Sequence, residues 1–212
     1  MKSIKEEIGS DKTLIKRIQD RLPKLFQIAE VESSRAGKVG MQVGSAREGI
    51  IVALLIYKFG EDNVNTEIPI TQAELDVKVH DNPISIKTLT SQGFAGVKLI
   101  WTVDAESAFS FSESYEPTCD MIFVRIHWEN DGGFYYIPIE VQQEIFKQLG
   151  KEQYIKLPKP GTNPRGVEIT AEAMEQLVAH AKTLKVDIRW TKQQLSYNPV
   201  QRWVQMWQQD QI

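Results

Sequence analysis

Only one cysteine, Cys119, occurs among the 212 residues. An internal disulfide needs two thiols and a cysteine-rich zinc site needs several, so both are excluded. Cys119 follows Glu116-Pro-Thr and opens an apolar stretch, which predicts a buried, inert thiol. Histidine is nearly as scarce. His80, His127 and His180 lie far apart, without the short spacings that bring two imidazoles onto one metal ion. Long apolar runs are missing as well: residues 50–57 make a run of about eight, against the ~20 a membrane-spanning helix needs. Met1-Lys-Ser-Ile-Lys-Glu-Glu carries no apolar segment of the secretory kind, so a reducing, cytoplasmic setting is expected. Positive charge is not in excess either. Lys+Arg number 25 against 28 Asp+Glu, a net charge of −3, so the chain has no global basic field. Any phosphate contact must come from local patches. Internal repeats and low-complexity tracts are also missing.

The 42% hydrophobic fraction suffices for a sizeable core. The expectation is one α/β domain over 1–212, with N-terminal helices (1–35), a central core (36–150) and a C-terminal loop and helices (151–212). Ile4, Ile8, Leu14, Ile15, Ile18, Leu22, Leu25, Phe26, Ile28 and Ala29 fall at helical spacing, with a break expected near Gly9-Ser-Asp-Lys and an inflection at Pro23. Residues 64–128 alternate apolar and polar in short runs, predicting strands near 64–70, 73–79, 84–90, 97–103 and 119–128. A strand near 133–138 leads into a helix over 140–149. The stretch 157–166 is rich in Pro and Gly and reads as a loop. After it come a helix from Thr170 to Lys185, a strand over 186–190 and a closing helix near 199–208.

Within the strand region lies Glu74-Leu-Asp76-Val-Lys-Val-His80-Asp-Asn-Pro83-Ile-Ser85-Ile-Lys87-Thr. Side chains two apart on a strand share a face, so Glu74 and Asp76 pair on one strand, and Ser85 and Lys87 on the next. His80 to Pro83 supply the turn, which brings Asp76 back toward Lys87. An Asp followed about ten residues later by a hydroxyl or acid, any residue and Lys is the spacing of the PD-(D/E)XK nuclease core. A hard divalent cation needs carboxylate oxygen, and an ammonium beside it can orient water and offset phosphate charge. Ser85 stands where that motif carries a second carboxylate, so another acid must supply it.

Ser45-Ala-Arg-Glu48, ahead of an apolar run that ends at Gly60, offers that acid. The Ser-x-x-Glu spacing predicts a capping box, Gly60 a C-terminal stop, and a run apolar on every side predicts a fully buried helix. Glu48 is then either a cap, a catalytic carboxylate at the mouth of the core, or both.

In the order and spacing of Met41, Glu48, Asp76 and Ser85-Ile-Lys87, residues 35–90 resemble the ThaI family of type II restriction endonucleases. The resemblance implies that Glu48, Asp76 and Lys87 form the catalytic trio and that Mg²⁺ is the cofactor. It also implies duplex DNA as substrate, with a CG-rich four-base palindrome cut to blunt ends. On that reading Asp76 and Glu48 hold the metal, the backbone carbonyl of Ile86 replaces the side chain that Ser85 lacks, and Lys87 holds or activates the attacking water. A short palindrome favours a homodimer, and a restriction enzyme implies a partner methyltransferase.

Arg35, Lys38 and Arg47 near this helix are candidate DNA contacts, as are Lys151, Lys156, Lys159 and Arg165 in and around the Pro-rich stretch. Gly37-Lys-Val-Gly40-Met41-Gln42-Val-Gly44 presents Met41 and Gln42 on a glycine-rich loop. Met41 either packs in the core or enters between base steps as an apolar wedge, and the resemblance selects the wedge. Trp203 and Trp207, four apart on one helix face, suit core or dimer packing, with base stacking as the other use. Two further functions stay open on the same core: a structure- or damage-directed DNA nuclease, and a non-catalytic DNA-binding relative.

Overall fold

The computed structural model describes residues 2–35, 38–39, 42–69, 72, 74–100, 102, 104–156 and 166–208. Helix α1 (Ile4–Ser10) opens with a complete capping box between Ser3 and Glu6. It stops where expected, because the Asp11 side chain accepts the Leu14 N–H and starts α2 (Lys12–Glu32). Helix α2 runs through Pro23 without a break. A small ribbon, β1 (Ser34–Arg35) and β2 (Lys38–Val39), precedes α3 (Val43–Phe59). Then follow β3 (Val64–Asn65), β4 (Val77–Val79), β5 (Asn82–Thr90) and β6 (Val97–Ile100). The chain continues through α4 (Ala105–Ser114), β7 (Asp120–Ile126), β8 (Asp131–Ile137), α5 (Ile139–Leu149) and α6 (Lys151–Tyr154). It closes with β9 (Ile155–Lys156), β10 (Val167–Ile169), α7 (Ala171–Ala179), β11 (Leu184–Arg189) and α8 (Gln201–Gln208).

The main sheet has six strands in the order β11-β8-β7-β5-β4-β3. Its central pair, β5 and β7, is parallel and the other pairs are antiparallel. The central strands alternate their side chains between two cores. Ile84, Ile86, Ile122, Val124 and Ile126 face α2 and α3, together with Leu14, Ile18, Leu22 and Phe26. Met121, Phe123 and Tyr135 face the other way, against α5, α7 and the small antiparallel sheet β6-β10-β9. Burial on both faces explains why β7 is a near-continuous apolar run rather than an alternating one.

Several expectations change in the fold. Residues 105–114 form α4, started by Asp104 accepting from Ser107, where only strands and connections had been read. The helix after Thr170 ends at Ala179, and residues from Leu184 pair with β8 instead of continuing it. Helix α3 lacks the expected capping box. It begins at Val43, and the Ala46 N–H already bonds to the Gln42 carbonyl, so Ser45 is inside the helix and Glu48 projects from its second turn. Gly60 does end α3, at φ +87°. Nor is α3 buried all round: Ile51 and Leu55 are core residues, but Ala53 is exposed and Tyr57 is 60% exposed. The outer face of α3 and the adjoining face of α2 border an open apolar groove lined by Leu25, Ile50, Leu54 and Tyr57.

Candidate active site

The β4–β5 hairpin builds the centre of the site. Val79 pairs with Asn82, leaving His80 and Asp81 as a two-residue turn with φ of 46° and 64°. Positive φ at both positions is the type I′ geometry that matches strand twist. Pairing between β4 and β5 reaches only Val77 and Ile84. Beyond it the chain diverges, and the Asp76 side chain takes over the edge of β5.

Three donors converge on Asp76 Oδ2: the Ile86 N–H at 2.5 Å, Ser85 Oγ at 3.3 Å and Lys87 Nζ at 3.3 Å. The Asp76 N–H in turn bonds to the Ile84 carbonyl at 3.1 Å. The expected meeting of Asp76 and Lys87 is therefore present, and both side chains are largely shielded, 16% and 14% exposed. Ser85, fully buried, helps to hold Asp76 in place of the missing acid. N–H and C=O of one strand residue point to the same edge, so the Ile86 carbonyl lies on the Asp76 side of β5.

Glu48 is half-buried, and its carboxyl pKa is raised by burial and then by the charge of Asp76, with Lys87 opposing. Those causes place Glu48 within the field of both partners. Glu74 is not on β4. It lies in the preceding turn, 8% exposed, where it accepts from the Tyr115 hydroxyl at 3.2 Å and the Thr118 hydroxyl at 2.9 Å. Burial raises its pKa, and these two bonds and Lys87 work against that rise. Cys119 is buried as expected, and desolvation pushes its thiol far above the range in which a thiolate forms.

The other expected contacts divide. Gln42 is exposed at the start of α3, as a DNA contact requires. Arg35 and Lys38 are cross-strand neighbours in the β1–β2 ribbon, but their side chains lie outside the described residues. Met41, Lys159 and Arg165 also lie outside them. Lys156 is exposed on β9, whereas Lys151 bonds to the Glu113 carbonyl. Trp203 and Trp207 are 49% and 91% exposed, so they do not belong to this chain's core.

Arg47 points inward, contrary to its expected place on the DNA surface. It is 5% exposed, with one guanidinium nitrogen 2.5 Å from Glu30 Oε1 and the other 3.0 Å from Thr90 Oγ1. A buried charge needs an opposite charge beside it, and Glu30 holds Arg47 away from any phosphate. Glu30 was missed from the sequence, although Leu14, Ile18, Leu22 and Phe26 step by four toward position 30 on the buried face of α2. An acid at the next step of that apolar ladder is the available signal.

A mixed sheet flanked by helices, with an acid and a lysine where two neighbouring strands diverge, here β4 and β5, is the core of the PD-(D/E)XK nucleases. A family model described as Restriction endonuclease ThaI matches residues 8–209, and the chain belongs to that family. Its activity class is accordingly that of a restriction endonuclease. A solved structure titled "Restriction endonuclease in complex with substrate DNA" is 55% identical, covering 96% of this chain and 98% of its own, with a TM-score of 0.89. No curated protein sequence matches the chain significantly.

Proposed function

We propose that residues 1–212 act as a single type II restriction endonuclease domain in which Asp76, Glu48 and Lys87 hydrolyse phosphodiesters of duplex DNA with Mg²⁺. The observation that carries this reading is the convergence of Ser85, Ile86 and Lys87 on one oxygen of Asp76, with Glu48 coupled electrostatically to the same pair. The solution of a 55% identical relative with substrate DNA supports DNA as the substrate. From the family resemblance we carry over a short CG-rich palindrome, blunt ends, a homodimer on the site and a partner methyltransferase, and from the single cysteine a reducing, cytoplasmic location. Among the described residues no helix is long and apolar enough to cross a membrane.

The donor set suits a magnesium ion. Among the described residues no group of three or more His, Cys, Asp or Glu is arranged to hold a metal; the proposed site uses two carboxylates and a backbone oxygen. Mg²⁺ is commonly held by one or two carboxylates together with waters and substrate phosphate. Asp76, Glu48 and the Ile86 carbonyl are the groups that would hold it, and it would supply Lewis-acid stabilisation of the phosphate charge. Hydrogen bonds from the backbone and Ser85 fix the Asp76 carboxylate before substrate arrives. Lys87, held by Asp76, directs its N–H groups toward the attacking water and the phosphate oxygen on which charge grows. Glu48, burdened by burial and by Asp76, is relieved when positive charge enters the site.

Incubating the purified protein with mixed plasmid DNA, with and without Mg²⁺, tests this. Discrete bands that require the ion are expected. Nicking or smearing points instead to a structure- or damage-directed nuclease, and unchanged DNA to a non-catalytic relative. Two chains per cognate duplex by sedimentation, with affinity falling steeply as salt rises, is the expected stoichiometry. A single chain that still cuts both strands would replace the dimer with sequential nicking.

A further inference from the structure

Glu48 sits on a different element from Asp76 and Lys87, and α3 begins without any side-chain cap to set its position. The neighbouring residue supplies the anchor. Successive helix positions point about 100° apart, so Arg47 turns into the core while half-buried Glu48 turns away from it, within the charge field of Asp76 and Lys87. The Arg47 guanidinium bridges Glu30 on α2 at 2.5 Å and Thr90 on β5 at 3.0 Å, and lies 5.7 Å from the centre of the Phe26 ring. Thr90 is three residues beyond Lys87 on the same strand. Glu30 is itself held by Trp128 Nε1 at 2.8 Å, and Lys192 Nζ lies 3.6 Å from its other oxygen. One buried carboxylate therefore joins α2, α3, the β7–β8 connection and the segment after β11.

We propose that the Glu30–Arg47–Thr90 bridge is a positioning clamp that sets the roll of α3 and so holds Glu48 against the Asp76–Lys87 pair. This inference rests on the reading of Glu48 as a carboxylate of the metal site. Arginine is required because a planar fork can reach an acid and a hydroxyl on two elements at once, whereas a lysine offers a single nitrogen. Removal of the clamp frees the helix to rotate, and displacement of a site group by about 1 Å can lower a rate by about a hundredfold.

The test uses the full chain and Glu30→Gln combined with Arg47→Met. This pair leaves no unpaired buried charge and keeps an acceptor for Trp128, so it separates the clamp from a general loss of stability. The expected result is a folded protein with near-wild-type melting and unchanged metal-free affinity for the mapped cognate duplex. Its single-turnover cleavage falls by about ten- to a hundredfold, and the Mg²⁺ concentration for half-maximal rate rises by about threefold or more. A folded double variant with wild-type rate and wild-type Mg²⁺ dependence overturns the clamp, as does equal loss of rate and DNA affinity. Should the double variant melt early, Thr90→Val keeps the ion pair and removes one hydrogen bond. A smaller shift in the same Mg²⁺ midpoint then supports the clamp, and no shift overturns it. A wild-type protein that cuts no DNA with Mg²⁺ fails at the level of the proposed activity and removes the clamp with it, an outcome distinct from an active wild type with an indifferent variant.

Discussion

Lys87 Nζ lies 3.3 Å from Asp76 Oδ2, and the same oxygen accepts the backbone N–H of Ile86 between them. The carboxylate is thus fixed by the strand that carries the lysine, so removing either charged partner alters the electrostatics of the other without dismantling the hairpin. Asp76→Asn and Lys87→Ala are each expected to lower cleavage by at least about a thousandfold, ~4.1 kcal/mol of barrier, with cognate binding largely retained. Rapid-quench cleavage alongside a binding titration checks this. Wild-type rates in either variant would remove the assignment of catalysis to this hairpin.

Glu48 makes a prediction of opposite sign for stability and for activity. Its carboxyl pKa is raised above the ordinary 4.5 by burial and by Asp76. The folded state therefore binds this proton more tightly than the unfolded chain. Stability from this group is fully present below the unfolded value and is lost as pH rises from there through the raised folded value. Above that range the group lowers the stability of the metal-free protein. Glu48→Gln should raise the metal-free melting temperature at pH 7, with the gain shrinking as pH falls toward 4.5. Cleavage should fall by more than about a hundredfold, ~2.7 kcal/mol of barrier. A variant that is both destabilised and fully active would contradict the placement of Glu48 in the site.

Gly132 on β8 sits under Trp190. A Cβ built there lies 2.2 Å from the Arg125 carbonyl oxygen and 2.5 Å from Trp190 Nε1. Backbone cannot retreat as a flexible side chain can, and Trp190 is fully buried against Phe26 and Trp128. Gly132→Ala should lower unfolding free energy by about 1–3 kcal/mol through overpacking. Urea denaturation with an unchanged midpoint would show that β8 and Trp190 separate more easily than this packing implies.

Met41 carries the proposal of an apolar wedge. A thioether side chain has no donor to satisfy and bends to fit a gap between base pairs. Met41→Ala is expected to weaken specific binding by about ten- to a hundredfold, or roughly 1.4–2.8 kcal/mol, with little change in melting. A core methionine would behave in the reverse way, losing about 2–5 kcal/mol of stability with DNA affinity intact. The two measurements together decide between insertion and packing.

What the sequence by itself determined is local. The apolar ladder of α2, the Gly9–Asp11 break, the stop at Gly60 and the turn at His80 follow from side-chain spacing and backbone preference over a few residues. The meeting of Asp76 with Lys87 is legible only in outline: the turn is His80-Asp81 rather than His80 to Pro83, pairing stops at Val77 and Ile84, and Asp76 reaches Lys87 from outside β4. What only the tertiary structure decided depends on groups brought together across long separations. Glu30 and Arg47 are 17 residues apart, and Arg47 and Thr90 are 43 apart. Nothing in the composition of the 45–48 stretch says that its arginine turns inward or that its serine is already helical. Glu74 likewise belongs with Tyr115 and Thr118 rather than beside Asp76 on a strand. A charge placed on an apolar pattern is legible as an exception, but its partner is chosen by how the layers stack. Burial makes that choice binding, because a charge removed from water must find its counterpart wherever the fold has put it.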